Sequence, residues 1–402
     1  MTLIKSRLAC VALLLAFAIG PLDTVAQTPS TSATGHVTTP NWDTPGTRAY
    51  ALRNFDKIVR YGMTVRATNV RKLVDAGIPA IGYLPEVRFL EIYRGFSALV
   101  VVSDGKVVHE RYGKGFGPSR RHSAQSTTKT MINLIIGKQV EDGKIDLSAK
   151  VKTYIPEIGS GYAEASVQDV LDMNVANEFV EAYDDPDALA ALHEHASGWR
   201  GPKAGTPDSV RRFLMTIKSK NLATDGTYRY KSANTDVLGW VAERAAKRPL
   251  QEMVREAMVA VGGENTIFMS TDREGFPAVM GGMVATARDW ARYGMLFLNG
   301  GIGTNGQRVG SAKFIAATPK HKGAKTNESY WYSNHFYTNG TILAHAGWGG
   351  QYLAIDPRTK SVIVFFSGLS NAKGDDSDYS SAMQAMAEVV FAYLRKRSKD
   401  EK

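Results

Sequence analysis

The chain has one cysteine, Cys10, among 402 residues. One thiol forms no internal disulfide, no Cys-x-x-Cys redox pair and no Cys-based metal cluster. The uncharged apolar run Leu8–Ile19 is shorter than the roughly 20 residues of a transmembrane helix. No repeat of solenoid or propeller length is visible, which excludes those architectures. Basic residues outnumber acidic ones, 49 to 39, for a formal charge of +10. They are scattered, with short clusters at Arg120-Arg121, Arg211-Arg212 and Arg395-Lys396-Arg397. No basic stripe is interleaved with aromatics, so the charge reads as a solvated surface and not as a nucleic-acid groove.

What is present suits a soluble enzyme: 44% hydrophobic and 22% charged residues, with length enough for one large domain or two packed ones. Lys5 and Arg7, the apolar run, and the small-residue site Thr24-Val25-Ala26 have the layout of a secretory signal peptide. Residues 1–26 are therefore expected to be removed on export to the periplasm or medium. Cys10 would leave with them, and no stable membrane insertion would remain. An uncleaved anchor is the alternative. Residues 27–47, rich in Thr, Ser, Pro and Gly, read as a flexible leader, and 48–400 as the functional domain.

Phe96–Ser103 is apolar and β-branched, Asp104-Gly105 is a hairpin turn, and Lys106–Tyr112 returns as a second strand. Helix-like runs follow at 126–140, 167–173, 209–218, 234–246 and 281–299. Strand character returns at 341–345, 351–355 and 361–368, before a last helix over 382–396. This order predicts an α+β fold. An antiparallel sheet drawn from about 48–135 and 265–400 is flanked by helices, with an all-helical insertion at about 136–264.

Ser-x-x-Lys occurs three times, at Ser103–Lys106, Ser126–Lys129 and Ser370–Lys373. Only Ser126–Lys129 opens a helix-like run, where residues three apart share a face. A lysine held there in a buried setting can lose its proton and activate the serine. The helix start offers N–H groups and positive dipole to a developing oxyanion. On the motif alone, a serine cap followed by a surface lysine is the favoured reading.

The surroundings carry more. Ser123-Ala-Gln-Ser-Thr-Thr-Lys-Thr130, Gly143-Lys-Ile-Asp-Leu147 and Tyr154-Ile-Pro-Glu-Ile158 come first, then Tyr230-Lys-Ser232. Gly281-Gly-Met-Val-Ala-Thr-Ala-Arg-Asp289 and His345-Ala-Gly347 follow. In this order the chain, over roughly 95–395, resembles the serine β-lactamase-like hydrolases. These comprise class C β-lactamases, D,D-peptidases, family VIII esterases and 6-aminohexanoate-dimer hydrolases. The resemblance implies a nucleophile at Ser126, a base at Lys129 and a proton-shuttling tyrosine at Tyr230. It implies an oxyanion hole from the backbone N–H groups of Ser126 and Trp348. Gly347 would let substrate approach the edge strand, with His345 as a polar wall and Ser232 at the substrate. No cofactor or metal is implied. His193-Glu194-His195 lacks zinc-protease spacing, because residues two apart on a helix diverge.

Two departures separate the chain from β-lactamases. Tyr-x-Asn is Tyr230-Lys-Ser232 here, and His345 stands where a lysine would hold a β-lactam carboxylate. Tyr-x-Ser, with Glu181-Ala-Tyr183-Asp-Asp-Pro186, is similar to the 6-aminohexanoate-dimer hydrolase branch, in which Tyr183 would bond a scissile amide. The expectation is a serine esterase or amidase acting on a small molecule. The alternatives are a penicillin-recognising D,D-peptidase or weak β-lactamase, and a catalytically silent binding domain.

Overall fold

The computed structural model describes residues 37–400, apart from 94, 184, 221–224, 372–373 and 375–376, together with a two-residue strand at Val25–Ala26. The rest of the proposed signal peptide, and residues 27–36 of the proposed leader, lie outside the described residues.

Strands from both ends of the chain meet in a nine-stranded sheet. Its spatial order is Val74–Asp75, Lys106–Tyr112, Phe96–Ser103, Ser361–Ser367, Gln351–Asp356, Leu343–Gly347, Phe336–Thr338, Trp331–Ser333 and Ala324–Lys325. Every pairing is antiparallel except that of Val74–Asp75. The predicted hairpin forms as read, with Asp104 and Gly105 both at positive φ, 46° and 78°, the twist a tight two-residue turn requires.

The central strands are covered on both faces, and their alternation sorts two cores. Leu99, Val101, Ile363 and Phe365 face one way, with Met383, Met386, Val390 and Phe391 of the long helix Ser377–Asp400. Val100, Val102, Val362 and Val364 face the other way, with Trp290 and Tyr293 of the helix Ala287–Leu298. The fold is mixed α+β, as expected.

Three readings are corrected. A second, five-stranded sheet exists, in the order Val25–Ala26, Tyr61–Val65, Ile267–Ser270, Met283–Thr286 and Arg121–Ser123. Part of the run 281–299 is therefore strand, and the helix starts at Ala287 with Thr286 as its cap. A fully buried four-residue strand and a buried helical turn share the same apolar composition, so periodicity does not separate them. The leader also ends early: residues 37–47 are folded, and Trp42 is buried among Phe55, Trp199 and Trp348.

Between 136 and 264 the described residues hold helices and no sheet strand, the longest being Ser232–Ala246. This helical block meets the large sheet beside Gln125–Thr130.

Candidate active site

The second sheet delivers the serine. Arg121–Ser123 is its edge strand, paired to Met283–Thr286, and the Ala124 N–H donates to Met283 O at 2.9 Å. The chain then turns sharply. Gln125 takes φ 46°, a left-handed conformation that costs a non-glycine residue about 1–2 kcal/mol. Its backbone and side-chain N–H groups both donate to Ser123 Oγ, at 3.3 and 2.8 Å, which holds the bend.

Ser126 does not open an α-helix. It lies in a 3-10 segment, Gln125–Thr130, and the α-helix proper is Met131–Glu141. Three residues per turn place positions i and i+3 directly above one another. Lys129 therefore stands over Ser126, and its Nζ donates to Ser126 Oγ at 2.9 Å. It also donates to Met280 O.

Lys129 is 1% exposed. Burial disfavours its ammonium and brings the amine down to about 8, with Glu181 and Asp236 pulling it back up. Its Nζ lies 5.2 Å from the centroid of the Tyr230 ring. Ser126 and Lys129 are thus brought together with Tyr230, which lies about a hundred residues further along the chain.

The strand Leu343–Gly347, which is not the expected edge strand but lies inside the large sheet between Phe336–Thr338 and Gln351–Asp356, closes the other side. At Gly347 a Cβ would stand 2.9 Å from Ala124 O and 3.2 Å from Gln125 Cβ, so only glycine lets this strand lie against the nucleophile turn. That packing brings the next residue, Trp348, to the cavity that also contains Ser126. His345 goes elsewhere. It is fully buried, meeting Tyr332 Oη through Nε2 at 3.0 Å and Ala346 O through Nδ1 at 2.7 Å. Burial, with Lys129 nearby, holds its imidazole well below the usual range, hence neutral. It is a structural member of a tyrosine cluster, with the Tyr230 ring 6.2 Å away.

The helical block supplies the remaining wall. Ser232 is the first residue of the helix Ser232–Ala246. Its N–H donates to the Glu181 carboxylate, as does the Tyr183 hydroxyl. Tyr183 Oη and Ser232 Oγ are 3.3 Å apart. Burial and Glu181 push the Tyr183 phenol well above its usual range, so it stays a neutral donor. Lys231 is buried, and its Nζ donates to Asn177 O at 3.4 Å and to Phe179 O. Asn234 faces Tyr162 in the interior, 2.9 Å away.

Sequence reasoning missed Glu181, which fixes both Tyr183 and Ser232, although it lies in a segment already singled out. It also missed the cavity's polar end. In the helix Leu189–Ala196, His193 turns inward to Asp236 at 2.8 Å and His195 turns to Gly201 O. Glu194 lines the cavity and pairs with Arg200 Nε at 2.6 Å, and Arg200 also binds Asp43. Burial raises the Glu194 carboxyl to about 7. The cavity encloses about 480 Å³, part of it open to solvent, with Trp42, Phe179, Trp199 and Met280 among its apolar lining.

A strained turn presenting a serine between an antiparallel sheet and a helical block, with a buried lysine against it, defines a β-lactamase-like hydrolase. The Beta-lactamase family model matches residues 93–390, and the chain belongs to that family. It is 32% identical over 284 residues to the 6-aminohexanoate-dimer hydrolase of Paenarthrobacter ureafaciens, covering 67% of this chain and 72% of the relative. A candidate 6-aminohexanoate-dimer hydrolase from Bacillus anthracis superposes with a TM-score of 0.79 at 24% identity, over 92% of this chain and 99% of that one. A hydrolase with promiscuous acyltransferase activity shares the fold at a TM-score of 0.57 and 16% identity, over 77% and 96%.

Proposed function

We propose that the protein hydrolyses a small ester or amide through an acyl-enzyme on Ser126, in the manner of 6-aminohexanoate-dimer hydrolases and family VIII esterases. The observation that carries this reading is the buried Lys129 amine 2.9 Å from Ser126 Oγ, on a cavity wall. The neutral amine takes the hydroxyl proton as Oγ attacks the substrate carbonyl. Backbone N–H groups of Ser126 and Trp348 receive the oxyanion. The proton passes by way of Tyr230 to the leaving alcohol or amine, and water then cleaves the acyl ester and restores Ser126. Tyr183 and Ser232 present hydroxyls to the substrate. His345, buried and neutral, offers no cation to a β-lactam carboxylate, which weighs against a penicillin substrate. The reading includes export with loss of residues 1–26, checked by N-terminal sequencing of the secreted protein.

Intact mass after treatment with a fluorophosphonate probe tests the core of it. The expected result is one adduct on the wild type, none on Ser126→Ala and slow labelling of Lys129→Ala. A folded wild type that takes no adduct would sink the hydrolase reading in favour of a silent binding domain. Stable acylation by penicillins in place of turnover of simple esters would favour the D,D-peptidase reading.

A further inference from the structure

The segment before residue 48 supplies a wall of the cavity that none of the residues assigned above explains. Residues 38–48 run through successive tight turns, with Asn41 N–H to Thr38 O, Thr44 N–H to Asn41 O, and Arg48 N–H to Thr44 O, at 2.9–3.3 Å. Arg48, 1% exposed, clamps this strap. Its Nε and Nη2 donate to Asp43 O at 3.1 and 2.8 Å. Its Nη1 donates to Leu369 O and Asn371 O at 2.8 and 2.7 Å. The same guanidinium lies 4.4 Å from the Trp348 ring centroid.

The strap carries two side chains into the cavity lining. Trp42 is 2% exposed and meets Phe55, Trp348 and Trp199 edge-on, at 5.1, 5.4 and 5.9 Å between centroids. Asp43 binds Arg200, the cation that also holds Glu194. An indole wall fixed by three aromatic neighbours, one of them capped by the Arg48 guanidinium, yields little to a longer ligand, because packed interiors do not deform continuously.

We propose that Trp42, locked in place through Asp43 and Arg48, sets the length and bulk of the substrate chain that the Ser126 cavity accepts. This rests on the hydrolase reading. Trp42 is a specificity wall, and Asp43 is a positioning residue acting through Arg200 and the strap.

The test is kcat/KM across two series of p-nitrophenyl and alkyl esters, one lengthened on the acyl side from acetate to octanoate, the other on the alcohol side. Trp42→Ala should raise the long-to-short ratio about ten-fold or more in one series, since each methylene a pocket admits is worth about ten-fold or more. Trp42→Phe should fall between, and Asp43→Asn should move the ratio the same way by less. If Trp42→Ala does not fold, the two milder variants decide. Unchanged ratios in both series, with wild type active and labelled at Ser126, would overturn the strap assignment alone. A wild type that neither labels nor turns over any ester would overturn the hydrolase reading and this inference with it.

Discussion

At the scale of single residues, the proposed chemistry turns on a lysine that gives up its proton more readily than one in water. In water its amine titrates near 10.4; here burial brings it to about 8, while Glu181 and Asp236 resist the shift. The base form is the deprotonated one, so kcat/KM is expected to rise with pH and level off above about 8. Lys129→Ala should lower kcat/KM by about a hundred- to ten-thousand-fold and abolish that limb. Initial rates between weakly acidic and alkaline buffers check this, and a flat profile would place the base elsewhere. Ser126 and Lys129 were legible because their contact is local, three residues apart in any tight helical turn. Tyr230 needed the family pattern, since nothing in its neighbourhood announces a partner a hundred residues earlier. His345 shows the limit of such patterns. Its place on a strand beside the site was readable, but its hydrogen bond to Tyr332 and its neutrality follow from burial, which position alone does not reveal.

At the scale of elements, the site depends on how closely the strand Leu343–Gly347 lies against the turn at Gln125. Gly347→Ala introduces a methyl 2.9 Å from Ala124 O, and the strand must retreat. Moving the Trp348 backbone by about an ångström should cost about a hundred-fold in kcat/KM. Denaturant unfolding should shift by about 1–3 kcal/mol, the usual penalty of overpacking, and leave the protein folded. Loss of activity together with loss of the fold would contradict this division. The elements readable from sequence were those with local signals: the hairpin at Asp104-Gly105 and the β-branched run Ser361–Ser367. The second sheet was not readable. Tyr61–Val65 pairs with Ile267–Ser270, and no local pattern names a partner so distant. Trp42 was hidden by its composition, because Thr, Ser, Pro and Gly serve flexible leaders and tight-turned straps alike.

At the scale of the whole molecule, a polar latch joins the large sheet to the helical block. His321 Nε2 meets Asp172 Oδ2 at 2.7 Å, and the other Asp172 oxygen accepts from the Asn334 N–H at 2.9 Å. Asn334 and His335, at φ 48° and 65°, form the tip of the hairpin that carries Tyr332. The bond to Asp172 raises the His321 imidazole above its ordinary range. A histidine raised on folding contributes stability that is complete below its unfolded value, about 6.5, and is lost as pH climbs through the folded one. The stability advantage of wild type over His321→Gln, from denaturant unfolding, should therefore be larger near pH 6 than near pH 9. An advantage independent of pH would show that the pair acts through packing alone.

The clamp at Arg48 also orders events in time. Its hydrogen bond to Asn371 O spans 323 residues of chain, and Phe96–Ser103 waits for Ser361–Ser367 to become a central strand. Pairings of that separation form slowly, after the loop between them has been closed. A nascent polypeptide bearing Ser126 and Lys129 thus has neither the strand Leu343–Gly347 against its serine nor a finished cavity until residue 371 has been made. The proposed hydrolytic power is therefore expected only after that point, and a chain ending short of Leu343 is expected to be inert.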